Sequence, residues 1–302
     1  MSVEINKPVV HINKNAFLFH EQPFVRLRHS QLCTFTLKKE GRAIAQIFFE
    51  EKERALVSLP YAPFGGVDSS NNLSLPEIEV LVEKFITYAH DHNDINRISI
   101  THYPSIYRPA VHQIIATTLQ QFKMNKTFVS TIQYLPVSND SFRSLTSADK
   151  KRYLNKSIFS FKQLSLDQLQ KVFDFIKSGR LHKQYELSIT YKEIQQMSEA
   201  FPERIKLFGL FKEKKLAAAS ISIIVNSDIL YDFHHADSPQ FSKYAPTVQL
   251  LKGMYEYCQN NNFSYLDLGG SMLNAELNKG LYDFKKSLGA HENDKITYER
   301  LF

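Results

Sequence analysis

"YLDLGGSMLNAELNKGLYDFKKSLGA", residues 265–290, is the stretch whose reading decides the fold. A short apolar run ends in Asp267, and Gly269 and Gly270 follow. A strand that runs into paired glycines reads as a sharp backbone turn, because glycine alone reaches the required conformations freely. A polar loop comes next, then an amphipathic helix-like segment over 277–289 that closes on Gly289. The pattern is therefore strand, turn and short helix, with an acid at the strand's end.

Working outward, Pro246 opens a helix over 246–262, with Val248, Leu251, Met254 and Tyr255 on one face. Before it, residues 205–236 read as three antiparallel strands, with Glu213-Lys214 and Asn226-Ser227-Asp228 at the turns. Helices are expected over 165–179 and 190–201, and a last strand over 295–302. The first half has the same logic. Strands are expected at 33–39, 42–51, 55–60, 97–102 and 126–137, with helices at 76–92 and 109–122. Residues 60–67, with two prolines and Gly65-Gly66, read as a loop.

No residue-level repeat is visible; what repeats is the order of elements. The expected fold class is α/β (α+β), two domains over 1–140 and 141–302, each a mixed, mostly antiparallel sheet flanked by helices. The boundary falls in "PVSNDSFRSLTSADKK", residues 136–151.

Composition narrows the function classes. The chain has 302 residues, 43% hydrophobic and 23% charged, the balance of a soluble globular protein. No apolar run approaches the ~20 residues of a membrane helix, and the N-terminus carries no basic-then-apolar leader, so the cytoplasm is the expected location. Cys33 and Cys258 are read as free buried thiols, and no ligand spacing indicates a metal. Residues 143–183 hold ten Lys/Arg against three Asp, within a chain of net charge +6. Such a run suits an anionic partner or a solvated helix face.

The C-terminal pattern resembles the FemAB-like branch of the GNAT acyltransferase superfamily, in tandem. The resemblance rests on "HHADSP", the helix in "YAPTVQLLKGMYEYC", "YLDLGGS" and "GLYDFKKSLGA", in which Asp267, Gly269, Gly270, Phe284, Lys285 and Gly289 occupy the pattern's positions. "LTSADKKRYLNKS" resembles the basic linker that opens the second domain of such proteins. The glycine-bearing loop that ordinary GNAT enzymes use for the pyrophosphate of acetyl-CoA is absent, and "SPQFSKYAPT" stands in its place.

The resemblance implies N-acyl or aminoacyl transfer to a small-molecule or peptide amine. Its co-substrate would be an acyl-CoA or an aminoacyl-tRNA, with no permanently bound cofactor. The donor would lie where the sheet splays beside the central helix. Gly269 and Gly270 would leave room there for it. Asp267 would orient an amine, or cap local backbone. Lys285 would hold an oxyanion or phosphate, and Tyr282, three residues away on the same face, would donate a proton. His235 is the candidate base and His234 a substrate contact; strand alternation lets only one of them face inward. Ser242, Lys243 and Tyr244 precede the central helix, whose N-terminal amides could take a donor's anion. Arg152 and Lys156 are candidates for substrate phosphates. Two other readings stay open: a GNAT-fold binding protein without catalysis, and a tRNA-associated module using residues 143–183.

Overall fold

Glu40 and Gly41 both take positive φ, 52° and 77°, in the tight turn between strands Cys33–Lys39 and Arg42–Lys52. That geometry matches the right-handed twist of the strands it joins. The paired strands bury Phe35, Leu37, Ile47 and Phe49. The structure is a computed structural model that describes residues 1–6, 12, 15–28, 32–155, 158–183, 185, 187–273 and 276–302.

The chain forms two units, Met1–Thr131 with Asn293–Phe302, and Ile132–Glu292. The sequence pattern placed the boundary at 140 and gave the last strand to the second half. Pairing explains the difference: Thr297–Leu301 lie antiparallel against Arg97–Thr101, so the chain's end joins the first unit.

In the first unit the strand order is Ser2–Ile5, Cys33–Lys39, Arg42–Lys52, Ala55–Ser58, Arg97–Thr101, then His291–Leu301 and Asn125–Pro136. Only Ala55–Ser58 and Arg97–Thr101 run parallel among the pairs described. Helices Leu75–Asp91 and Pro109–Gln121 accompany the sheet, and Phe85 packs edge-on to Phe49 at 5.3 Å. The parallel pair ends at Val57↔Ser99. The loop expected at 60–67 then fills the space beyond it. Gly65 N donates to Thr101 O at 2.9 Å, Gly66 N to Ser58 Oγ at 2.9 Å, and Phe64 is buried among Phe17, Phe19 and Tyr107.

In the second unit the order is the end of Asn125–Pro136, Tyr265–Gly270, Ile229–Asp237, Lys215–Asn226, Ile205–Lys212 and Ser160–Leu164. Tyr265–Gly270 and Ile229–Asp237 are parallel and the other pairs antiparallel. The central helix Pro246–Asn260 buries Leu250, Leu251, Met254 and Cys258 against Leu135, Phe208 and Leu266. Cys258 is a free thiol whose pKa burial raises, and Cys33 is free but only half-buried.

Several elements were not legible. Ser160–Leu164 is a mostly exposed edge strand, and the helix expected from 165 starts at Leu169 after a short turn. The polar loop after Gly270 contains a hairpin, Met272–Leu273 with Glu276–Leu277, too short for periodicity to reveal.

Candidate functional site

The second unit's parallel strands part early. They pair through Ile229↔Tyr265, Leu230↔Leu266 and Tyr231↔Asp267, and go no further. On its other edge Tyr265–Gly270 shifts register against residues 132–136 between Asp267 and Gly270. Gly269 makes this possible: its φ is +71°, and a Cβ there would lie 3.3 Å from the Tyr231 ring. Asp267 Oδ1 accepts from Gly269 N at 2.7 Å and fixes the turn. A cavity of about 280 Å³ opens at the parting. The first unit fills the corresponding position with its own loop.

A β-bulge arms one wall. Strand Ile229–Asp237 pairs Ser222↔Asp232, Ile221↔His234 and Ser220↔His235, which leaves Phe233 as the extra residue. Without the bulge, Asp232 and His235 would point to opposite faces. With it, both share the face of Ser220 and Ser222. His235 Nδ1 is 2.5 Å from Asp232 Oδ2, Ser220 Oγ donates to Asp232 Oδ1 at 2.7 Å, and the two serine hydroxyls are 2.9 Å apart. Burial pushes the Asp232 carboxyl up, but His235 and Ser220 outweigh it and hold its pKa below the ordinary value. His235 remains partly exposed to the cavity.

Lys285 comes from the helix Lys279–Ser287, which Asn278 caps through Leu281 N at 3.0 Å. Its Nζ donates to Gly269 O at 3.0 Å and Gly270 O at 2.7 Å. At 3% exposure the ammonium is costly, so burial lowers its pKa to about 8, while Asp267 and Asp232 pull the other way. An ammonium has three donors. The carbonyls occupy two, and the lysine lines the cavity.

Helix Leu169–His182 supplies another part of the lining. Gly179 lets it approach: a Cβ there would meet Ala236 Cβ at 2.8 Å. Arg180 therefore sits beside His234, and both line the cavity. Arg180 Nε and His234 Nδ1 are buried without a hydrogen-bond partner among the described residues. Burial and Arg180 hold the His234 pKa near 3, so this ring is neutral.

The structure thus brings together Asp267, Lys285, His235, His234, Gly269 and Gly270. The other expected residues lie elsewhere. Tyr282 hydrogen-bonds Glu292 and stacks with Lys286; three helical steps leave it about 60° around the helix from Lys285. Ser242, Lys243 and Tyr244 form the end of a 3₁₀ turn, Pro239–Tyr244, where Lys243 sits over the Tyr244 ring at 4.9 Å. They do not line the cavity. Arg152 is exposed and stacks on Tyr153 at 4.7 Å. Lys156 lies outside the described residues. Asp232, Arg180 and Ser220 were missed. Strict alternation would set Asp232 on the opposite face from His235, and Arg180 is only one charge in a run. Among the described residues, no group of three or more His, Cys, Asp and Glu is placed to hold a metal ion.

The chain matches no family model and no curated protein. Among solved structures it is similar to FemX, with 11% identity and a TM-score of 0.70 over 100% of this chain and 98% of the other. The fold resembles that of FemX and of tandem GNAT proteins. L-PGS from Bacillus licheniformis aligns with 11% identity and a TM-score of 0.54, over 88% and 83% of the two chains. A tandem GNAT protein from the clavulanic acid biosynthesis pathway gives 11% and 0.51, over 90% and 83%. These likenesses of fold agree with the mixed, mostly antiparallel sheets and flanking helices of both units. No helix among the described residues is long and apolar enough to cross a membrane.

Proposed function

We propose that the second unit transfers an acyl or aminoacyl group from a thioester or ester donor to an amine. The observation that carries this reading is the parting of the strands after Tyr231↔Asp267, with His235 and Lys285 on the walls of the gap. The donor's carbonyl would enter that gap, over the glycine turn. The Asp232 contact keeps the His235 proton on Nδ1 and leaves Nε2 as the acceptor. The neutral amine attacks the carbonyl carbon, and His235 takes the proton that the nitrogen sheds as the C–N bond forms. The tetrahedral oxyanion faces the Lys285 ammonium. Its collapse breaks the C–S or C–O bond, and the leaving group receives a proton from Lys285 or the imidazolium. Asp267 holds the turn and acts on Lys285 through charge.

The test is the melting temperature of the purified chain against coenzyme A, acetyl-CoA, long-chain acyl-CoA and charged tRNA. A ligand bound only by the folded state raises it by mass action. Stabilisation by one donor class, lost in Lys285→Ala, supports transfer and names the donor. No shift with any donor leaves a non-catalytic binding protein as the better reading.

A further inference from the structure

We propose that the amine acceptor of this cavity is an α-amino acid, whose free carboxylate is held by Arg180 and His234. The inference rests on the acyl-transfer reading above and narrows its substrate.

Two side chains that line the cavity each hold a buried polar atom with no partner among the described residues. These atoms are Arg180 Nε and His234 Nδ1, and His234 as a whole is only 7% exposed. Buried donors left without partners cost free energy, so a site that keeps two of them side by side is built for something that arrives. Arginine's planar fork matches a carboxylate in two parallel hydrogen bonds. The neutral His234 ring adds a donor once its proton is on Nδ1, while Nε2 faces Ser188 Oγ at 3.4 Å. Gly179 fixes the spacing, because its close approach to Ala236 sets the Arg180 helix directly on the His234 strand.

Charge selects the kind of anion. Of the three cations that line the cavity, Arg180 is offset by Asp232, Lys285 by Asp267 and Asp232, and Lys183 is held by Asp237 at 2.7 Å, although of these acids only Asp232 itself lines it. An enclosure this close to neutral suits a zwitterion and offers little to a polyphosphate. Size agrees with a small ligand: about 280 Å³ is just below the range of roughly 300 to 1,000 Å³ usual for ligand sites. With the carboxylate on Arg180, the amine would lie toward His235 and Asp232, which line the same cavity.

The experiment is calorimetric titration of the full chain with amino acids, each beside its decarboxylated amine: alanine and ethylamine, tyrosine and tyramine, lysine and cadaverine, through the common set. Inorganic phosphate is titrated separately. At least one amino acid is expected to bind roughly tenfold or more tightly than its amine. Arg180→Gln should reduce that affinity to the amine's level, and Arg180→Lys should restore part of it. The donor-induced melting shift should persist in Arg180→Gln, which also reports that the variant is folded. Equal binding of amino acid and amine overturns the proposal, as does binding of neither, or binding of phosphate in place of carboxylates. If donor stabilisation survives such a result, only the acceptor assignment falls; if it is also absent, the transfer reading falls with it.

Discussion

His235 Nδ1 lies 2.5 Å from Asp232 Oδ2, three residues apart on one strand, because the bulge at Phe233 turns both to one face. If His235 is the base and Asp232 its orienting partner, the two should differ kinetically. His235→Ala should lower kcat by about 10²–10⁴-fold. Asp232→Asn should lower kcat by at least about tenfold with KM nearly unchanged, since Asp232 touches the imidazole and not the substrate. Steady-state rates of both variants check this; an Asp232→Asn effect confined to KM would contradict it.

Lys285 should leave a mark on stability against pH. Its pKa is about 8 in the folded chain against an ordinary 10.5. The unfolded chain therefore binds more protons between those values, and this residue's contribution rises with pH across that window. Below pH 8 the charged form is buried at full cost. The unfolding free energy of the wild type relative to Lys285→Met should improve by roughly 3 kcal/mol from pH 7.5 to 10.5. Urea denaturation at both values measures it, and a constant difference would show that Lys285 is not buried as described.

Three glycines near the site should respond differently to alanine. Gly289 has φ +89° and its Cβ would lie 2.7 Å from Leu145 O, so Gly289→Ala should cost roughly 2–4 kcal/mol. Gly269→Ala, with φ +71° and a Cβ 3.3 Å from the Tyr231 ring, should cost about 1–2 kcal/mol and lower activity by disturbing the carbonyls that hold Lys285. Gly280 is helical and a Cβ there would meet only Asn278 Oδ1, at an ordinary 3.7 Å, so Gly280→Ala should be neutral or stabilising. Denaturant midpoints rank the three.

The first unit contains a buried ion pair, Arg108 Nη1 to Asp68 Oδ1 at 2.8 Å, with both side chains at 4% exposure or less. Arg108 also donates to Asn15 O at 3.0 Å and lies over the Phe17 ring at 4.5 Å. Asp68→Ala strands a buried guanidinium and should cost about 3–5 kcal/mol. Thermal unfolding of Asp68→Ala, Arg108→Met and the double variant tests it: the double variant should lose less than the sum of the single ones.

The fold was legible where periodicity was strong. The central helix from Pro246 declared itself through its apolar face, and the strand ending in Asp267 and the glycines through its punctuation. Gly269, Asp267 and Lys285 could be placed at one strand end because they are close in sequence to the turn that joins them. Asp232 was hidden because a strand read by strict alternation cannot show a bulge, and Phe233 gives no warning of one. Arg180 was hidden because its role depends on which helix face meets the sheet, set by Gly179 against Ala236. Tyr282 was misplaced because two residues three apart share a helix side only loosely, and Glu292 gives its hydroxyl another partner.

The most direct test of the account is amide formation by the purified chain. The donor that stabilises it would be supplied with a mixture of amino acids, and products identified by mass. The account predicts a new amide with the wild type, at a rate at least about a hundredfold lower in His235→Ala. A wild-type rate retained by His235→Ala and Lys285→Ala would show that the chemistry is not at this cavity.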